Sequence, residues 1–194
     1  MTARARGVMP DPSPEDERAI VARARTGDRE AFGSLVDIYQ NAVRRVTRAV
    51  LHDAEEADDA AQDAFLSALT KLAQYDPGRP FRPWLMRIAA NMAIDRKRRR
   101  QVRRGQPLAP EAHSHEPSPQ LHAERAALRE KLEEAMTHLP ERYRVALVLY
   151  DVEGYSHPEI AEILGIPVGT VRSAVFHARR TLRPLLEGWR EGGS

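Results

Sequence analysis

Apolar residues recur along this chain every three or four positions, in blocks separated by polar or proline-rich breaks. Ser13-Pro14-Glu15-Asp16 has the form of a helix start, with a capping serine, proline in the first turn and acids near the positive end of the dipole. Gly27 stops that helix and Asp28 can cap the next. Ala31, Phe32, Leu35, Val36, Ile38, Tyr39, Val43, Val46 and Val50 then follow at helical spacing. Asp53 with Glu56 three residues later reads as a further cap. The apolar side behind it is Ala57, Ala61, Ala64 or Phe65, Ala68 or Leu69, and Leu72. Tyr75 to Pro80, with Pro77, Gly78 and Pro80, predicts a loop. A fourth helix is expected from about Phe81 to Arg100, with Phe81, Trp84 or Leu85, Ile88 and Met92 on one side.

Residues 101–120 hold Gly105, Pro107, Pro110, Pro117 and Pro119 and no apolar period, which reads as a flexible linker. Helical spacing returns at Leu121 and continues through Leu128, Leu132, Ala135 and Leu139 until Pro140. Arg142 to Val152 forms another short apolar stretch. The expectation is an all-α fold of two small helical domains, 15–100 and 121–190, joined by the 101–120 linker and preceded by a disordered 1–14 tail.

The end of the second domain has a sharper pattern. Ser156-His157-Pro158-Glu159 is a capping box with proline in the first turn. Ile160, Ile163 and Leu164 give the helix a core face, Gly165 suits a left-handed cap, and Pro167 opens the next helix. Helix, glycine turn and helix is the geometry that puts a second helix into the major groove. In that helix Val171, Val175, Ala178 and Leu182 form a buried stripe, and no acid occurs between Val168 and Leu186. Its early residues Thr170, Arg172, Ser173 and Phe176 are the candidates for base edges. Arg179, Arg180 and Arg183 suit phosphates, and His177 lies beside them. Phe176 has two readings, a thymine-methyl contact or packing on its own domain. Pro184 is expected to kink or end the helix.

Composition narrows the classes. Aromatics are 6% of 194 residues and cysteine is absent, which disfavours disulfides and thiolate zinc sites and fits a cytoplasmic protein. No apolar run approaches a membrane span, and no signal peptide is visible. The formal net charge of +2 hides a strong segregation. Asp53, Glu55, Glu56, Asp58, Asp59 and Asp63 form an acidic run. Arg96, Lys97, Arg98, Arg99, Arg100, Arg103 and Arg104 form a basic one. One surface should repel nucleic acid and another attract it.

At these motifs the chain resembles the extracytoplasmic-function (ECF) sigma factors of bacterial RNA polymerase. "DVEGYSHPEIAEILGIPVGTVRSAVFHARRTL" resembles their promoter-binding C-terminal domain. "EEADDAAQDAFLSAL" resembles their polymerase-binding helix, and "FRPWLMRIAANMAIDRKRRR" their −10 element reader. The resemblance implies that Asp58, Asp59, Gln62, Asp63 and Phe65 dock on the clamp helices of the polymerase largest subunit, with Phe65 either core or anchor. It implies that the loop Tyr75 to Arg82, with Tyr75 and Asn91 lining it, captures a base flipped from the non-template strand. Trp84 then belongs mainly to the core, while Arg82, Arg87, Arg96, Arg98, Arg99 and Arg100 serve the −10 DNA. The second domain would read the −35 element of promoter DNA, and an anti-sigma factor is an expected partner. Two positions depart from the family pattern. Ala174 stands where arginine is frequent, and the region of Lys97 commonly carries a bulky apolar residue.

Other classes fit less well. Asp58, Asp59 and Asp63 could hold magnesium in a helical diphosphate enzyme, but no second acidic cluster of that kind exists and the domain is too small to enclose a prenyl chain. His113, His115 and His122 sit in or beside the linker without a supporting shell, so no metal site is expected. No nucleophile–base constellation or phosphate loop is found, so no catalytic residue and no cofactor is expected. A DNA-binding regulator that does not engage polymerase would share the helix-turn-helix, but has no need of the acidic docking helix or of Tyr75 and Asn91.

Overall fold

The computed structural model describes residues 12–51, 53–104 and 131–191. The 1–11 part of the tail, residues 105–120 of the linker, Leu121, Leu128 and the three linker-region histidines lie outside the described residues. Described residues form helices and no strand. The first domain is α1 (Pro14–Arg25), α2 (Arg29–Val50), α3 (Ala54–Lys71), a 3-10 turn (Leu72–Gln74) and α4 (Phe81–Arg104). The second contains α5, described over 131–137, α6 (Glu141–Leu147), a π turn (Val148–Val152), α7 (His157–Leu164) and α8 (Val168–Glu191).

The caps fall where the sequence places them. The Ser13 hydroxyl accepts the Asp16 N–H at 3.1 Å. One Asp28 oxygen accepts from both Glu30 and Ala31 N–H at 3.0 Å, and Asp53 accepts from Glu56 N–H at 2.8 Å. Each satisfies helix-start amides that have no partner within the helix. The N-terminal amides of Ala31 and Glu30, together with the Arg23 guanidinium, hold the Asp28 carboxyl below its usual range.

Behind the caps, α2, α3 and α4 pack on each other, and α1 lies across α2. The buried face of α3 is almost all alanine: Ala57, Ala60, Ala61, Ala64 and Ala68. Small residues let α3 approach α2 and α4 closely. Larger side chains from the neighbours fill the core, among them Leu35, Val43, Val46, Phe81, Leu85 and Met86. Leu69, expected on the apolar side as the alternative to Ala68, is 46% exposed, because Ala68 takes the inward position.

Two boundaries differ from expectation. The helix begun at Phe81 runs on to Arg104, past Arg100, since its arginines are good helix formers. Helix α8 continues through Pro184 to Glu191. Proline removes one N–H there, but the side is exposed, so water can serve the carbonyl one turn back.

The two domains share a continuous core. Val145, Ala146, Leu149, Tyr155, Ile160 and Ile163 of the second domain belong to the same buried cluster as α2 and α4. Helix α6 packs on α2, and α7 on α4. The buried Arg144 donates to Ala49 O at 2.7 Å and Leu139 O at 2.5 Å, so one cation serves carbonyls at the ends of two helical segments from different domains. Burial lowers its pKa from the ordinary arginine value.

Candidate nucleic-acid interface

Helices α7 and α8 form the expected helix-turn-helix. The Glu159 carboxylate accepts from the Ser156 N–H at 2.8 Å and from its hydroxyl at 2.7 Å. The hydroxyl and then the amide hold that carboxyl below its usual range. Gly165 takes φ 64°, a left-handed conformation that any side chain would strain, and its N–H returns to Ala161 O. The turn therefore fixes the start of α8 rigidly against α7.

The division of faces on α8 is as the sequence predicts. Val171, Val175, Ala178 and Leu182 are buried, and Ala174 is buried with them at 0% exposure. Position 174 thus faces the domain core, and an arginine there would have no path to DNA without moving the helix. Arg172, Ser173, Phe176 and Arg180 are exposed, and Thr170 and His177 are half-buried. Phe176 is 62% exposed, so packing on its own domain does not account for it. Arg180 lies over its ring at 6.0 Å, while His177 stacks on Tyr143 at 5.9 Å. Arg183 is exposed near Pro184. Arg179 is engaged within the domain. Its guanidinium is bidentate to Asp151 and lies 5.0 Å over the Tyr150 ring, and the Asp151 hydrogen bond raises its pKa. A phosphate would have to compete with that carboxylate.

On the first domain the acidic and basic runs meet. Arg96 donates to Asp59 at 2.7 Å and Asp63 at 3.3 Å, and Arg100 to Glu56 at 2.7 Å. Asp58 lies 3.5 Å from Arg44 and 3.4 Å from Arg48. Asp59, Gln62 and Asp63 are exposed, Asp58 is half-exposed and Phe65 is partly buried against the core. The acids are accessible but already have cationic neighbours. Exposed Leu66, at 62%, which sequence periodicity did not single out, and Leu69 extend the same helix surface with apolar area. Arg87, Arg98 and Arg99 remain exposed on α4.

The loop after α3 is built on Tyr75. Its ring is 5.6 Å from Phe81 edge-on and 5.1 Å from Trp84, and its hydroxyl donates to Arg79 O. Desolvation raises the phenol pKa. Tyr75 is 5% exposed, so in this state it braces the loop from beneath. Asn91 is exposed further along α4. A cavity of about 40 Å³ lies between α1 and this loop, lined by Arg18, Arg25, Tyr75 and Phe81 among others. Arg82 points to the second domain, where its guanidinium meets Glu153 at 2.9 Å and covers the Tyr155 ring at 5.3 Å. Glu153 and Arg144 are the residues that sequence reasoning missed. Their partners in the other domain lie 71 to 108 positions away, and no local pattern marks them. Among the described residues no cluster of ligating side chains suits a metal ion, and no helix is long and apolar enough to cross a membrane.

The fold is therefore that of a two-domain helical protein in which a helix-turn-helix domain is set beside a charged helical domain. Family models agree: "Sigma-70 region 2" matches residues 35–103 and "Sigma-70, region 4" residues 129–182. RNA polymerase sigma-H factor of Pseudomonas aeruginosa is 37% identical over 186 residues, covering 89% of this chain and 96% of its own length. ECF RNA polymerase sigma factor SigW of Bacillus subtilis is 31% identical over 176 residues, covering 86% and 94%. The solved structure of CnrH in complex with the cytosolic domain of CnrY is 30% identical with a TM-score of 0.66, covering 89% of this chain and 97% of that one. RpoE of Bartonella quintana, solved with the anti-sigma factor NepR, shares the fold at 24% identity and a TM-score of 0.67, covering 80% and 96%. The chain belongs to the sigma-70 family, as a sigma factor of the ECF type. Such proteins are transcription initiation factors and not enzymes by themselves.

Proposed function

We propose that this protein directs core RNA polymerase to promoters by reading a −35 element as duplex and a −10 element as opened strand. The observation that carries this is the exposed Arg172, Ser173, Phe176 and Arg180 surface on a rigidly capped helix, in a chain that also matches Sigma-70 region 2. Thr170, His177, Arg179 and Arg183 flank that surface and position it on the backbone. Asp58, Asp59, Gln62 and Asp63, with Leu66, Leu69 and the rim of Phe65, dock on the clamp helices of the largest subunit. The loop Tyr75 to Arg82 and Asn91 receive a base flipped from the non-template strand, and Arg87, Arg96, Arg98 and Arg99 follow the separated phosphates.

The loop around Tyr75 has to rearrange for the ring to meet that base, because Tyr75 is buried. An anti-sigma factor holds the protein in check in the cytoplasm. Support comes from CnrH, solved with the cytosolic domain of another protein on it. The decisive experiment adds the purified chain to sigma-free core polymerase and genomic DNA, then sequences the 5′ ends of the transcripts. New start sites sharing paired upstream elements are the expected result. Intact duplex binding with no transcript would sink the reading.

A further inference from the structure

The interface between the domains contains a buried carboxylate. Glu153 has a side chain at 0% exposure, although it sits at the end of a surface turn. Its two oxygens are divided between two arginines of the other domain: Arg45 Nε at 2.5 Å on Oε1 and Arg82 Nη2 at 2.9 Å on Oε2. A buried charge is tolerated only when it is paired, so the geometry specifies one docking pose and not a loose collapse. A second pair also joins the domains, with Lys97 Nζ 2.6 Å from Glu141.

The closed pose cannot be the promoter-reading one. Elements centred near −35 and −10 are separated by roughly 85 Å of duplex at about 3.4 Å per base pair. Two packed domains of this size are on the order of 40 Å across. The closed pose leaves the Arg172 and Phe176 face of α8 exposed. It covers part of the first domain instead, with α7 on α4 and Glu153 on Arg82.

We propose that Glu153 and the Lys97–Glu141 pair form an electrostatic latch that holds the free protein closed and masks Arg82 until polymerase or DNA separates the domains. Glu153 acts as a phosphate mimic: it occupies the guanidinium that would otherwise meet a backbone phosphate. The masking rests on the proposed role of Arg82 in −10 binding, whereas the latch itself does not.

The test uses the full chain. It has no cysteine, so Glu30→Cys and Glu162→Cys, both at exposed positions, give clean sites for a donor and acceptor dye. Energy transfer is read without polymerase or DNA, with helicity followed by circular dichroism. Glu153→Gln should lower the transfer at unchanged helicity. Lys97→Glu should lower it too, and adding Glu141→Lys should restore it. Should Glu153→Gln lose helicity, the Lys97 and Glu141 swap decides alone. In parallel, a short oligo(dT) strand serves as the phosphate probe. If the closed form outnumbers the open by roughly ten to one, Glu153→Gln should bind it about tenfold tighter. Unchanged transfer in folded variants overturns the latch. Lower transfer without tighter oligo(dT) binding overturns the masking of Arg82. Neither readout requires promoter activity, so a failure of the sigma reading would show separately, in the transcription assay.

Discussion

Helices α4 and α8 are both rich in arginine, but their cations meet different surroundings. On α4, Arg96 and Arg100 are bound to acids of α3, and Lys97 to Glu141. On α8, Arg172 and Arg180 are exposed and no acid occurs in the helix before Leu186. The first arrangement neutralises charge and joins elements. The second keeps charge available to a partner. An arginine count alone therefore overstates the DNA-binding potential of α4. Arg98 and Arg99, on its exposed side, are the better guides to it.

The largest expected effect concerns a cation that joins elements. Arg144→Met keeps most of the buried stem but leaves the carbonyls of Ala49 and Leu139 without their donor. The expected loss is about 2–4 kcal/mol of stability, read as a fall in urea midpoint with unchanged slope. A loss under about 0.5 kcal/mol would show that water replaces the guanidinium freely. Next is a cation kept available. Arg172→Ala should weaken −35 duplex binding by about 1–3 kcal/mol and relax sequence choice, measured by anisotropy on a panel of single-base variants. A uniform loss across the panel would make Arg172 a phosphate contact instead.

The contrast also explains what the sequence could reveal. Caps at Ser13, Asp28, Asp53 and Ser156 are local, because each links residues two or three positions apart. The buried stripe of α8 is set by helical period alone. These features placed the helices and the helix-turn-helix. Charge partnerships are not local: Arg100 meets Glu56 across 44 positions and Arg45 meets Glu153 across 108. From composition the acidic and basic runs read as separate surfaces, whereas packing of α3 on α4 sets them side by side. Ala174 shows the same limit. Resemblance marked it as a missing contact, but its register on α8 places it in the core. The acidic docking residues and the −10 set stay proposals, since their exposure fits a partner surface without naming the partner.

Between the two helices in character lies the capping box before α7, a charge used locally. Ser156→Ala should cost about 1 kcal/mol in thermal or urea unfolding. The sign of its pH dependence follows from Glu159, whose folded pKa lies below its ordinary value. A depressed carboxyl contributes stability above its unfolded pKa and loses it as pH falls through the folded one. The difference between parent and variant should therefore shrink in acid below the ordinary carboxylate range and stay flat near neutrality. A difference that grew in acid would mean that the hydroxyl caps the helix without the carboxylate.

The smallest effect tests the contrast within α4 itself. Arg98→Ala removes an exposed cation, and if that side chain contacts a phosphate of the separated strand the log–log salt slope of binding to opened promoter DNA should fall by about 0.7. Arg96→Ala removes a cation already shared by Asp59 and Asp63. To meet a phosphate it must first leave two carboxylates, so its slope change should be well below that of Arg98→Ala. Its stability cost should also be small, under about 1 kcal/mol, because all three groups are partly exposed and screened. Equal slope changes for the two variants would mean that DNA pulls Arg96 off α3 on binding. The acids of α3 would then be released for the polymerase in the same step, and the two charged runs would act as a coupled exchange of partners rather than as a fixed internal clasp.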